Sequence, residues 1–135
     1  MTERKIDMRE PGIGTVFSKS VTVTEELLAR TVGSGDVEVY ATPMMLALME
    51  GAAAELLSGF LEEGETSVGS YIASSHLAPS LVGGKVTATA VITAVEGRKI
   101  SFDIRAEDDG GLIGEGKHER VVVLRERFLQ KAALR

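Results

Sequence analysis

The chain has 135 residues, 44% of them hydrophobic and 26% charged, a composition typical of one globular domain large enough to form a core. A net charge of −5 without a basic stripe argues against nucleic acid as the main partner. The lack of cysteine excludes disulfides and thiolate metal sites and fits a reducing compartment. The polar N-terminal stretch MTERKIDMRE does not fit a signal peptide, so we expect a cytoplasmic protein.

The first third of the chain predicts one strand and a loop before any helix. Residues 1–14 are polar and contain proline and glycine, which predicts a loosely held lead-in to a single domain over residues 1–135. Residues 15–23 are rich in β-branched side chains, as a strand is. Residues 24–31 fit either a short helical turn or a continued strand, and residues 32–38 predict a flexible loop.

The longest apolar run, ATPMMLALMEGAAAELLSGFL at residues 41–61, predicts a long helix. Thr42 suits the N-cap position, and Pro43 then falls at the first helical position. Met, Leu, Ala and Glu are strong helix formers, and Gly64 lies just past the predicted end. The run is apolar on nearly all sides, so we expect it to be buried in the protein and not to cross a membrane.

The second half of the chain predicts an antiparallel meander. Four strands are expected, at residues 66–76, 85–95, 99–107 and 112–124. Tight turns fall at residues 97–98 and 108–111, and residues 125–134 predict a short terminal helix. Gly114 and Gly116 in the last strand predict close approach of another backbone. One buried helix followed by this meander predicts an α+β domain in which the helix covers the apolar face of the sheet.

Glu50 and Thr42 are the candidate chemical groups of the helix. The residues one turn away from Glu50 are all apolar, so its carboxylate must be paired, wetted by a cleft or used in chemistry. An ion pair or a polar contact across a dimer is the structural alternative to a general base. Thr42 is compatible both with a plain N-cap and with a place beside free helix N–H groups, which stabilise an oxyanion.

Three further polar residues lie on the predicted strands. His76 ends a strand before a proline-containing bend, where it is either structural or a proton shuttle. His118 and Arg120 share the inward face of the last strand, where Arg120 either contacts substrate or pairs with Glu50 or Glu55. No paired-ligand spacing supports a zinc site built from His76, His118 and Glu50, so we expect no metal.

Most of the chain resembles hotdog-fold thioesterases, and among them the fluoroacetyl-CoA thioesterases. The matching segments are VYATPMMLALME, GSYIASSHLAPSLVGGKVTATAVITAVEGRKISF and GLIGEGKHERVVVL, within roughly residues 36–128. The resemblance implies one long central helix wrapped by a curved antiparallel sheet. It also implies a homodimer, or a higher oligomer, with two sites at the subunit interface. The implied activity is hydrolysis of a short-chain acyl-CoA thioester without a cofactor.

The resemblance also implies roles for particular residues. Thr42, Glu50 and His76 match the catalytic residues of the family. Gly69 matches a backbone glycine near the acyl group, and Arg120 matches a pocket arginine. Fluoroacetyl-selective members carry a phenylalanine gate shortly before the threonine, whereas residues 34–38 here read SGDVE. We therefore expect catalysis to be kept without strong fluoroacetyl selectivity.

Two other functions compete with this interpretation. A hotdog domain that holds acyl-CoA without turnover is one alternative, although all three catalytic matches are present. A hotdog hydratase is the other, and it normally pairs an aspartate with a histidine before the helix is completed. No histidine precedes His76 in this chain.

The spacing of Thr42 and Glu50 predicts how the site is assembled. Eight residues of helix span roughly 12 Å, which is too far for the two side chains to hydrogen bond in one straight helix. Either the first turn is unwound, or the partner chain supplies one of the three residues. The small residues of the strand at 66–76 favour the second solution, because they would let the same strand of a twofold mate pair with it.

Overall fold

The computed structural model describes residues 5–135, in which five strands surround one long helix. The strands are β1 (Val16–Thr22), β2 (Glu65–Ser74), β3 (Lys85–Glu96), β4 (Lys99–Asp108) and β5 (Gly111–Leu124). The helices are α1 (Ala29–Val32), α2 (Thr42–Ser58) and α3 (Arg125–Ala133), with a 3-10 turn at Glu25–Leu27 before α1. The meander and the terminal helix are therefore confirmed, and residues 24–31 form the short helical turns.

The five strands form one antiparallel sheet in the order β1-β3-β4-β5-β2, with α2 packed against β1, β2, β3 and β4. The predicted alternation of inward side chains holds along β4 and along β3 as far as Ile92, after which a register shift breaks the pattern in β3. The buried side chains on the helix-facing side are Val86, Ala88, Ala90, Ile92, Ile100, Phe102, Ile104 and Ala106. This sheet wrapped on one helix is the hotdog arrangement that the resemblance implies. Its outer strands, β1 and β2, each have one unpaired edge.

Both ends of α2 differ from the prediction. Thr42 is the first helical residue and Ala41 holds the N-cap position, without a side-chain capping bond. The N-cap role predicted for Thr42 is therefore wrong, because its hydroxyl is used elsewhere. The helix ends at Ser58, and Gly64 instead adopts φ 84° in the turn before β2. Among residues 5–135, no helix is long and apolar enough to cross a membrane.

The lead-in is anchored to the domain more firmly than its composition predicts. The Asp7 amide donates to the Glu65 carboxylate, and the Arg9 amide donates to the Phe60 carbonyl over 2.9 Å. The Arg9 guanidinium lies 5.3 Å from the centre of the Phe60 ring, a cation–π distance. Residues 1–4, which belong to the predicted lead-in, lie outside the described residues.

The glycines of β5 allow β2 to approach closely, as predicted. A Cβ atom on Gly116 would lie 1.8 Å from the Ala73 carbonyl oxygen, and one on Gly114 would lie 2.6 Å from the Ser75 carbonyl oxygen. At Gly116 the obstacles are all backbone atoms of β2, so a side chain could enter only by moving that strand, whereas at Gly114 the Met45 side chain is also in the way. Glycine in β5 therefore sets where the end of β2 runs.

Replacing Gly116 by alanine should lower the free energy of unfolding by about 2 kcal/mol or more, because the new methyl group displaces the Ala73 carbonyl. Gly51→Ala is the matched control, since a Cβ there meets nothing closer than 3.7 Å and alanine is the better helix former. Urea unfolding of both variants at one protein concentration gives the comparison. Equal stability of the two variants would contradict the close approach.

Candidate active site

Thr42 and His76 form a hydrogen-bonded pair at the start of α2. The Thr42 Oγ1 atom lies 2.7 Å from the His76 Nδ1 atom. Thr42 begins the helix, and His76 lies two residues beyond the end of β2, so the loop after β2 runs past the helix N-terminus. Both residues line a pocket of about 270 Å³ together with Val39, Tyr40 and Leu77. A hydroxyl held by an imidazole in a pocket is the arrangement of an activated nucleophile or of a hydroxyl that orients water.

The protonation of His76 is constrained by its surroundings. Burial lowers the pKa of His76 below its ordinary value, which favours the neutral ring. A neutral imidazole has one N–H donor and one acceptor nitrogen, so Nδ1 can accept the Thr42 proton when Nε2 carries hydrogen. The His76 Nε2 atom is buried and has no hydrogen-bond partner among the described residues. The acceptor for Nε2–H therefore has to come from a group other than residues 5–135 of the same chain.

Glu50 lies in a second group of polar residues, with Arg120 of β5. Its Oε2 atom lies 3.3 Å from the Arg120 Nη1 atom; the glutamate side chain is 43% exposed and the arginine 8% exposed. The guanidinium is further held by Ser67, whose Oγ accepts from Nε over 2.9 Å and whose carbonyl accepts from Nη2 over 3.0 Å. Of the two ion pairs considered as alternatives for Arg120, the one with Glu50 forms, whereas Glu55 pairs with Lys19.

Gly69 leaves the space that the Glu50 carboxylate occupies. A Cβ atom at this position would lie 2.1 Å from Glu50 Oε2 and 3.4 Å from His118 Cε1. The register between β2 and β5 also shifts between Gly69 and Tyr71, so β2 carries a bulge beside this contact. The glycine that the resemblance places near the acyl group here sets the position of the carboxylate.

His118 belongs to the same group, although the resemblance assigned it no role. Its Nδ1 atom lies 2.7 Å from the Tyr71 carbonyl oxygen, and its Nε2 atom lies 3.4 Å from Arg120 Nη1. The ring stacks on Phe102 with centroids 5.8 Å apart. Burial lowers the pKa of His118, and the charge of Arg120 lowers it further. Alternation along β5 placed His118 inward, and that was the only signal in the sequence.

The structure thus brings the five predicted site residues together as two groups and not as one triad. Thr42 and His76 meet at the first turn of α2, and Glu50 lies eight residues further along the same regular helix, roughly 12 Å away. The unwound first turn considered above is therefore excluded. No three side chains suited to a metal ion come together in the part of the chain that the structure describes.

The sheet wrapped on one helix, with a threonine–histidine pair at the helix start, defines a hotdog-fold thioesterase. Comparison with known proteins makes the assignment narrower. The family model for fluoroacetyl-CoA-specific thioesterases matches residues 23–126, and the chain belongs to this family. The chain is accordingly an enzyme that hydrolyses thioester bonds.

Individual relatives agree with the family assignment. The fluoroacetyl-CoA thioesterase of Streptantibioticus cattleyicolor is 43% identical over 94 residues, which are 70% of this chain and 68% of that protein. A solved structure of the fluoroacetyl-CoA thioesterase FlK has a TM-score of 0.89 at 33% identity, covering 94% of this chain and 98% of its own. A Thermus thermophilus protein of the thioesterase superfamily has a TM-score of 0.87 at 34% identity, with 93% of each chain covered.

Because the pKa of His118 is lowered in the native state, stability should fall as the pH falls below about 6.5, where the unfolded chain binds the proton more readily. Arg120, Glu50 and Glu119 are the charged groups that act on the ring. Urea unfolding of wild type and His118→Gln between pH 7.5 and pH 5.5, at fixed protein concentration, isolates the effect of this histidine. Parallel stability profiles would contradict a neutral, buried His118.

Proposed function

We propose that the protein hydrolyses short-chain acyl-CoA thioesters at two equivalent sites, each completed by two chains. In each site Thr42 and His76 come from one subunit, and Glu50, Gly69 and Arg120 come from its partner. The observation that carries this proposal is the separation of the two groups along one regular α2, while Thr42 and His76 are bonded within one chain. A triad acting on one carbonyl needs its members within about 3 Å of one another or of the reacting atoms.

The unpaired edge of β2 supports this assembly. Gly69 contacts Glu50, and His76 lies seven residues further along the chain. If β2 pairs antiparallel with its twofold mate about an axis between Ile72 and Ala73, Gly69 lies opposite His76 of the partner subunit. The half-exposed Glu50 carboxylate would then approach the buried Nε2 atom of His76, which needs an acceptor. One twofold contact would complete both sites.

The proposed mechanism begins with the Thr42 hydroxyl, acting as nucleophile or holding the attacking water. His76 Nδ1 takes the proton released on attack, and Glu50 of the partner subunit stabilises the resulting imidazolium through Nε2–H. The negative charge on the thioester oxygen then needs donors. Pro43 has no N–H, and the amides of Met44 and Met45 donate to the Ala41 carbonyl over 3.0 Å each. The Thr42 amide is therefore the helix donor available to the oxyanion.

When the tetrahedral intermediate collapses, the carbon–sulfur bond breaks and the imidazolium returns its proton to the CoA thiolate. Where Thr42 is the nucleophile, His76 then takes a proton from a water that attacks the acyl-threonine, and the ester bond breaks to release the acid and return the proton to Thr42. No cofactor is needed, since addition to the carbonyl and loss of the thiolate are assisted only by proton transfers that side chains can perform. CoA as the leaving group is supported by a mutant of FlK solved with fluoroacetate and CoA, with a TM-score of 0.84 and 35% identity. We retain the cytoplasm as the proposed compartment, because the chain has no cysteine.

Mixing variants tests the shared site. Thr42→Ala and Glu50→Gln should each lower kcat by on the order of 10²-fold, because each removes one catalytic group. In a refolded equimolar mixture, half of the dimers are mixed and each contains one intact site, so about a quarter of wild-type activity should return. Release of free thiol from a panel of short acyl-CoAs gives the measurement. Activity that does not return on mixing would refute the shared site.

Two controls sharpen the test. Mixing Thr42→Ala with His76→Ala should restore no activity. One subunit supplies both residues of each site, so every site in the mixed dimer still lacks one of them. Glu55→Gln should keep full activity, since Glu55 lies on α2 but pairs with Lys19. A wild-type protein that releases thiol from none of the acyl-CoAs, yet binds them, would instead favour the binding module.

The loop before Thr42 predicts weak discrimination between fluoroacetyl-CoA and acetyl-CoA. Ser34 and Val39 line the pocket, and no aromatic side chain occurs in residues 34–38 to close over the acyl group. The ratio of kcat/KM for the two substrates should stay below about 10³, since a larger ratio means more than about 4 kcal/mol of discrimination. Kinetics with both substrates on one enzyme preparation measure this ratio directly.

A further inference from the structure

We propose that His118 is a positioning residue: as a neutral ring protonated on Nδ1, it fixes the Arg120 guanidinium and, through it, the Glu50 carboxylate. The inference rests on the catalytic role proposed for Glu50. His118 itself is only 1% exposed and lies on β5 behind Arg120, so it reaches the chemistry through Arg120 and not by contact with substrate.

The tautomer follows from the two partners of the ring. A backbone carbonyl only accepts hydrogen bonds, so the Nδ1 atom that lies 2.7 Å from the Tyr71 oxygen must carry hydrogen. A guanidinium only donates, so the Nε2 atom that faces Arg120 Nη1 must hold a lone pair. Only the neutral ring with hydrogen on Nδ1 satisfies both contacts. An imidazolium would set an N–H group against the Arg120 cation.

The contacts of Arg120 show what His118 adds. Ser67 holds two nitrogens of the guanidinium, Nε and Nη2. The remaining nitrogen, Nη1, has two hydrogens and faces two acceptors, Glu50 Oε2 at 3.3 Å and His118 Nε2 at 3.4 Å. With His118 accepting one hydrogen, the other is directed at the carboxylate. The imidazole therefore determines which Nη1–H group of Arg120 donates to the Glu50 carboxylate.

The ring also ties Glu50 to the edge of the sheet. The Tyr71 carbonyl that binds His118 follows directly on the β2 bulge, and Gly69, on the other side of that bulge, leaves room for the carboxylate. Tyr71 itself is 53% exposed on the strand that we propose as the subunit contact. A change in the path of β2 would thus move the Glu50 carboxylate through His118 and Arg120.

Two amide substitutions separate the two functions of the ring. His118→Gln can place a carbonyl oxygen near the Nε2 position, where it accepts from Arg120, whereas His118→Asn reaches only the Nδ1 position and the Tyr71 carbonyl. We expect Gln to keep kcat within about 3-fold of wild type and Asn to lower kcat on the order of 10-fold, with KM within about 2-fold for both. Asn with kcat equal to or above that of Gln would overturn the proposal.

Thr89→Val is the matched control for stability. Thr89 is also buried on a strand, and its Oγ1 bonds to Ser18 Oγ over 2.8 Å, a contact between β3 and β1 that involves no residue of the site. This variant should lower Tm while leaving kcat unchanged. If it lowered kcat as much as His118→Asn does, loss of stability alone would explain the effect and His118 would have no positioning role.

Ring ¹⁵N NMR of the wild-type protein at pH 7 tests the tautomer without any activity assay. The chain has two histidines, so the signals lost in His118→Gln identify this ring. We expect a neutral ring with hydrogen on Nδ1; an imidazolium, or hydrogen on Nε2, would overturn the proposal. Full activity of Glu50→Gln would instead reject the role of Glu50 and leave the tautomer result standing.

Discussion

The ion pair between Glu50 and Arg120 is the contact on which the arrangement of the site depends. Glu50 lies at the middle of α2, half-exposed, on a helix that packs seven other residues into the core. Arg120 supplies the paired cation from β5 and is itself 8% exposed, with Ser67 holding two of its nitrogens. The pair therefore joins α2, β5 and β2 at one point and sets where the Glu50 carboxylate lies over the sheet.

The regular helix also prevents a single chain from bringing its two polar groups together. Because α2 is regular from Thr42 onward, the group at its first turn and the group at Glu50 are held apart by the rigidity of the helix. Small side-chain movements cannot close roughly 12 Å. The edge strand β2 runs past both groups. Gly69, within the strand, lies beside Glu50, and His76 lies two residues beyond the end of the strand. A partner strand on this edge is the simplest element that could bring them together.

Much of the fold follows from sequence pattern, because alternation and turn chemistry are local. The inward faces of β3 and β4, the hairpin turns and the close approach at Gly116 were all predictable. The wrong N-cap prediction for Thr42 has a physical cause, because a threonine before Pro43 satisfies the local rules for an N-cap. Nothing in the local sequence shows that His76, which follows the end of β2, forms a hydrogen bond with the Thr42 hydroxyl. Such a contact depends on the register between strands distant in sequence.

The same limit applies to His118. Alternation shows that the ring points inward, but its role depends on the Tyr71 carbonyl, and that carbonyl faces the ring because the register of β2 slips beside Gly69. A bulge on an edge strand leaves no clear mark in composition or periodicity, since it needs only one extra residue. Here that one residue affects both the space for the carboxylate and the acceptor for the imidazole. The placement of a charged group inside this enzyme is thus set by an irregularity at the edge of its sheet.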